Sequence, residues 1–271
     1  MQMRFLQTSA LREGALVLLA SAVLFAGASH AFGQANGLTP VQQRIDVQRR
    51  RLSSSEVEER RDALMKLGAM RHPDAARAAT SALNDSDPII RATAAHTLEA
   101  LPGSEAAAAL LPLLKDKQEL VRREAAHAIG ATRSRSAAQP LIEVLTTDKE
   151  GGVRAAAAIA LGQIGDEAAV VPLVEILSGT SSKKKKSKTQ NDEFVLRAAA
   201  QSLGEIRSHA GVAALITTLN NDGNPVDVRR AAAKALGLIG DSSAMRALKA
   251  AIASDDPYLS QTAKEALRRM R

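Results

Sequence analysis

The stretch Val153–Gly165, VRAAAAIALGQIG, recurs in variant form along almost the whole chain. With Gly162 as reference, its counterparts are Gly68, Glu99, Gly130, Gly204, Gly237 and Arg268. In chain order the steps are 31, 31, 32, 42, 33 and 31 residues. A period near 31 specifies a stack of one repeating supersecondary unit, and the long step marks an insertion of roughly ten residues.

The columns of the repeat carry the fold. One residue before the reference stand Leu67, Leu98, Ile129, Leu161, Leu203, Leu236 and Leu267. Five before it every residue is alanine: 63, 94, 125, 157, 199, 232 and 263. Nine before it are Glu59, Ile90, Val121, Val153, Val195, Val228 and Leu259. Positions four apart share a helix face, so these columns form one apolar stripe, and the alanines predict a place where a second helix comes very close. A further helix precedes each of these, its last large apolar residue at Leu52, Leu83, Leu114, Leu145, Leu177, Leu219 or Ile252. A single helix pair cannot bury its apolar face alone, so the pattern predicts an all-α solenoid of seven pairs.

An Asp followed six residues later by Arg, and then by AAxALGxIG, stands here as Asp85/Arg91, Asp116/Arg122 and Asp148/Arg154, with a looser version at Asp222/Arg229. This resembles the HEAT-like repeats named after phycobilisome lyases. The resemblance runs from Leu38 to Arg271 and implies a solenoid whose second helices line a concave groove. Each Arg is expected to pair with the Asp of its own turn, tying turn to helix inside the repeat.

The expected layout is a secretory signal over 1–31, a loose tail over 32–38 and the array over 39–271, with the insertion at 179–192. Arg4 and Arg12 lead an apolar run, Ala15 to Ala28, which ends at Ser29-His30-Ala31. That is the arrangement of a signal peptide, with cleavage after Ala31 or Ala35 or retention as an anchor. It predicts export to the periplasm, the envelope or the medium. The chain has no cysteine, which excludes disulfides, thiolate metal sites and a cysteine nucleophile. Of the net charge of +7, five lysines sit in the insertion: Lys183, Lys184, Lys185, Lys186 and Lys188. That run predicts a solvated loop, or alternatively a contact to a polyanion or an anionic membrane surface.

Thr39-Pro40, Asp87-Pro88, Asn224-Pro225 and Asp256-Pro257 read as a capping residue and first-turn proline; Pro112 lies deeper and should kink its helix. Ile89, Leu120, Phe194 and Tyr258 share the column ten before the reference and are expected to pack under the turns.

Catalytic constellations are missing. There is no G-x-S-x-G turn and no phosphate-cradling glycine loop. Deoxyhypusine hydroxylase resembles this architecture but holds iron with His-Glu pairs, and no His-Glu pair occurs here. His96 and His127 stand at equivalent repeat positions without further ligands in view, so no metal or other cofactor is expected. The scarcity of aromatics, at 2%, and the leader argue against nucleic acid. The face opposite the apolar stripe carries Arg61, Arg123, His127, Arg197, Arg230 and Lys234. The reading is a non-catalytic scaffold or adaptor that recognises an acidic segment of another protein along this face. The alternatives are the polyanion or membrane binder just named and, third, a lyase- or hydroxylase-like enzyme.

Overall fold

The computed structural model describes residues 38–179 and 190–270. The leader 1–31, the tail up to residue 37 and the lysines of the insertion lie outside the described residues. Among the described residues there is no strand, and fourteen α-helices follow one another as seven pairs.

The chain forms two compact units, Met1–Val47 and Gln48–Arg271. The first is described only from Leu38, and helix α1 (Pro40–Arg51) begins two residues later. Thr39 Oγ1 accepts from the Gln42 N–H at 3.2 Å and Gln42 Oε1 accepts from the Thr39 N–H at 2.8 Å, with Pro40 in the first turn. This reciprocal cap is the one the Thr-Pro sequence predicts.

The second unit holds α2 (Val57–Ala69), α3 (Pro73–Ala79), α4 (Pro88–Thr97), α5 (Gly103–Leu110), α6 (Glu119–Thr132), α7 (Ala138–Thr147) and α8 (Gly151–Ile164). It continues with α9 (Val170–Ser178), α10 (Gln190–Ile206), α11 (Val212–Asn220), α12 (Val226–Ile239), α13 (Met245–Ala251) and α14 (Pro257–Arg269). Asp87 and Asp256 cap α4 and α14 as expected, accepting from the Ile89 and Leu259 N–H groups. Asn224 does not cap α12; its amide donates to the Thr218 carbonyl at 3.1 Å instead. At Pro112 the chain does not kink an α-helix. The α-helix stops at Leu110 and a 3₁₀ segment, Leu111–Lys115, carries the proline. Proline lacks the N–H that an α-helix needs there, although α3 makes the same change into Thr80–Asn84 without one.

Each even-numbered helix from α2 to α14 packs against the next even-numbered one. All seven alanines of the invariant column have no exposed surface. The residue before the reference is buried in six of seven repeats, from Leu67 to Leu236. The closest approach lies at the reference itself. A Cβ on Gly130, Gly162, Gly204 or Gly237 would stand 2.7, 2.8, 2.7 or 2.6 Å from the Cα of Ala160, Ser202, Ala235 or Ala266 in the following repeat. Small residues on both sides therefore set the helix spacing. Where the opposing residue has a hydroxyl, it closes the contact: Ser202 Oγ donates to the Ala158 carbonyl at 2.7 Å.

The Asp–Arg signature departs from its expected pairing. Arg60, Arg91 and Arg122 place Nε and Nη2 on both carboxylate oxygens of Asp85, Asp116 and Asp148, the aspartates of the next repeat, at 2.7–3.1 Å. To its own turn each arginine gives Nη1, which donates to backbone carbonyls such as Asp85 O and Ser86 O for Arg91. The aspartates also accept from backbone N–H groups two residues on, at 2.8–2.9 Å. The ion pairs thus bind repeat to repeat rather than closing within one. The reason is geometric: the own-turn carboxylate is already turned toward its backbone, leaving carbonyls as the nearer acceptors. The looser pair is formed as expected, Arg229 Nη1 meeting Asp222 Oδ1 at 2.7 Å.

Candidate interaction face

Opposite the buried stripe, positions ten, seven and three before the reference share one side of each second helix. The structure places every candidate of that face outside the core: Arg61 and Lys234 are exposed, while Arg123, His127, Arg197 and Arg230 are half-buried. Their electrostatic situations differ.

In the first half of the array the charges are largely matched. Arg61 Nη1 lies 3.7 Å from Glu58. Glu124 on α6 accepts from Arg123 Nε at 3.2 Å and contacts His96 Nε2 on α4 at 2.8 Å, while His96 Nδ1 lies 3.3 Å from Glu99. Burial pushes the His96 imidazole down, but hydrogen bonds to Glu124 and Glu99 outweigh it and leave its pKa above the ordinary histidine value. His127 is the reverse: burial lowers its pKa, Glu124 offsets only part, and His96 and Arg123 add to the depression.

The second half differs. Arg197 lies over the Phe194 ring at 5.2 Å and has no carboxylate partner among the described residues. Lys234, on the adjacent helix α12, is exposed and likewise without one. Arg230 is tied up: it donates to Asp256 at 3.0 and 2.6 Å and to Asp227 at 2.7 Å, and lies 5.1 Å over the Tyr258 ring. Its positive charge joins α12 to α14.

The column ten before the reference is not packed away. Ile89, Leu120, Phe194 and Tyr258 are 45%, 36%, 38% and 70% exposed. Before Ile89 and Leu120 the turns fold back as Asp loops around the arginine ladder and do not cover a side chain on the outer side of the first helical turn. A sequence cannot separate this from burial, since an apolar residue at a helix start reads the same either way. A depression between Asn84–Ser86 and Pro112–Lys117 is lined by the ladder residues Asp85, Arg91 and Asp116, which are engaged in ion pairs, and by Lys117. No group of three or more His, Asp or Glu side chains placed to hold a metal occurs among the described residues.

Residues 46–124, 107–188 and 187–268 match the family of HEAT repeats. This chain belongs to the HEAT-repeat family. No curated protein sequence matches it. Among solved structures, the HEAT array is similar to the CpcE–CpcF complex of phycocyanin lyase from Nostoc sp. PCC7120, at 23% identity over 88% of each chain and a TM-score of 0.52. Human deoxyhypusine hydroxylase in complex with glycerol matches at 20% identity over 84% of this chain and 96% of that one, with a TM-score of 0.40. An engineered protein matches at 20% identity over 83% and 68%, with a TM-score of 0.46. At these identities the likeness to the phycocyanin lyase shows the shared helical-repeat fold alone. A fold does not fix an activity, so function has to be argued from this chain's own face.

Proposed function

We propose that this HEAT-repeat protein is an exported, non-catalytic adaptor that recognises an acidic segment of a partner protein through the exposed face of its second helices. The observation that carries the reading is the pair Arg197 and Lys234. These cations stand on adjacent helices of a rigid array, in reach of solvent, with no carboxylate of their own among the described residues. A cation already paired gains little from a second anion, whereas an unpaired one on a fixed scaffold offers complementarity without reorganisation. Arg61 and Arg123, more weakly paired, extend the positive character toward the first repeats, and Arg230 serves to hold the neighbouring helices. Export rests on the leader sequence. N-terminal sequencing of the secreted chain should then begin at Phe32 or Asn36.

The test is capture from an envelope fraction with three immobilised baits: the native chain, Arg197→Glu/Lys234→Glu, and a deletion of residues 179–192. Proteins held by the first and third baits, lost from the second, and released by a poly-glutamate peptide are expected. Retention by the charge-reversed bait together with loss on deleting the insertion would overturn the reading in favour of the polyanion-binding lysines.

A further inference from the structure

We infer that the segment taken by this face is an extended one of the pattern apolar-x-acidic-x-acidic-x-apolar, seated across α10, α12 and α14 with its apolar side chains on Phe194 and Tyr258. The inference rests on the acidic-segment reading and adds the form of the partner.

Phe194 and Tyr258 occupy the same repeat position two second helices apart, and both rings are exposed, at 38% and 70%. Neighbouring helices lie about 8–10 Å apart, so the rings are separated by roughly 16–20 Å. A strand rises about 3.3 Å per residue and covers that distance in about six residues. Side chains at alternate positions of a strand point the same way. Apolar residues at the first and seventh positions can therefore meet the two rings while the third and fifth residues face the helices between them.

The charges on the face suit acids at those two positions. Arg197 lies one turn along α10 from Phe194, with its guanidinium carbon 5.2 Å from the ring centroid and no carboxylate partner among the described residues. A guanidinium drawn to a ring by the cation–π attraction keeps its N–H donors, which can meet a carboxylate in two-pronged fashion. Lys234 stands two turns along α12 from the row of the rings and adds a second cation. Asp227, which sits between the rings in that row, accepts from Arg230 Nη1 at 2.7 Å but shares that one cation with Asp256, so the acids of the segment are placed toward Arg197 and Lys234 instead. Arg230 in turn lies over the second ring at 5.1 Å and anchors on Asp256, which keeps Tyr258 backed by a fixed group.

The experiment uses two fluorescein-labelled nonapeptides and the full chain, with binding read by anisotropy. One peptide carries Leu-Ser-Glu-Ser-Glu-Ser-Leu; in the other both leucines are serine. The leucine peptide should bind about tenfold more tightly. Phe194→Ala/Tyr258→Ala should remove that advantage, so that the two peptides bind this variant equally, and Arg197→Glu/Lys234→Glu should weaken both. Since all four residues lie outside the core, unchanged circular dichroism should accompany each variant. Equal affinity of the two peptides would overturn the ring subsites and leave the acidic reading standing. Binding indifferent to the charge reversal, or no binding of either peptide, would overturn both.

Discussion

Two glycines of the array answer to different physics. Gly165 ends α8 with φ at +69° and has nothing within 4 Å of where a Cβ would sit. Alanine there meets only backbone strain, and Gly165→Ala should cost about 1 kcal/mol in chemical denaturation. Gly204 is helical, but its added Cβ would stand 2.7 Å from the Ala235 Cα, backbone that cannot swing away. Gly204→Ala should cost roughly 2–3 kcal/mol by forcing α10 and α12 apart. If the two variants lost equal stability, close approach would not be what selects glycine at the reference position. Arg71, Arg133 and Arg207 occupy the repeat position of Gly165 with φ of 46°, 52° and 59°, so the left-handed turn forms even with a side chain. At the same scale the two histidines should separate in a proton NMR titration. His96 should titrate above 6.5 and His127 below it, and Glu124→Gln should lower the His96 midpoint. The alanine and glycine columns were readable from sequence because a steric demand recurring along the array leaves alanine in all seven repeats and glycine at the reference in five of them. The pairing state of Arg197 or Arg230 was not, because it depends on which carboxylate a flexible side chain reaches in three dimensions.

The element scale belongs to the turns. Each joins a first helix to a second, and the arginine ladder fastens the first four of them to one another. The Arg91 and Asp116 side chains are 8% and 11% exposed, so removing one strands the other in a poorly solvated place. Arg91→Ala should cost roughly 3 kcal/mol. Burial alone would raise the carboxyls of Asp85, Asp116 and Asp148, but the arginine and backbone hydrogen bonds outweigh it and hold them below the usual value of 3.8. A depressed carboxyl stabilises the fold fully above its unfolded pKa and loses that contribution as pH falls through the folded one. Urea midpoints should accordingly be level near neutrality and fall below about pH 4, with Asp116→Asn falling less steeply than the native chain. A native-like acid slope in that variant would show that the ladder does not govern the acid transition. The signature's residues were legible in the sequence but its connectivity was not. The Asp lies six residues before one arginine and 25 or 26 after another, and a repeat period alone does not choose between the two.

Within Gln48–Arg271 each second helix from α4 to α12 is flanked by two others, whereas α14 has only α12 on that side. In such a stack stability is close to a sum of repeat and interface contributions, so position along the array decides how a local loss is felt. Leu161 of α8 and Leu259 of α14 are both fully buried aliphatic side chains. Truncating either to alanine removes a similar apolar volume, at about 2–5 kcal/mol of local destabilisation. Leu259→Ala weakens a repeat that has one neighbour to lose, so α13 and α14 should open alone while α8 and α10 keep their native protection. Leu161→Ala weakens a repeat that couples both sides, so amides of α6 and α10 should lose protection together, and the unfolding transition should broaden or split. Hydrogen exchange followed by mass spectrometry resolves the two cases helix by helix. Equal loss of protection along the whole array in both variants would mean that it unfolds as one cooperative body, and the nearest-neighbour description would fail. The separation matters for the proposed binding, because Arg197 and Lys234, without a carboxylate partner among the described residues, sit on α10 and α12. A partner seated there should slow exchange in those helices and α14 while leaving α2 and α4 unchanged.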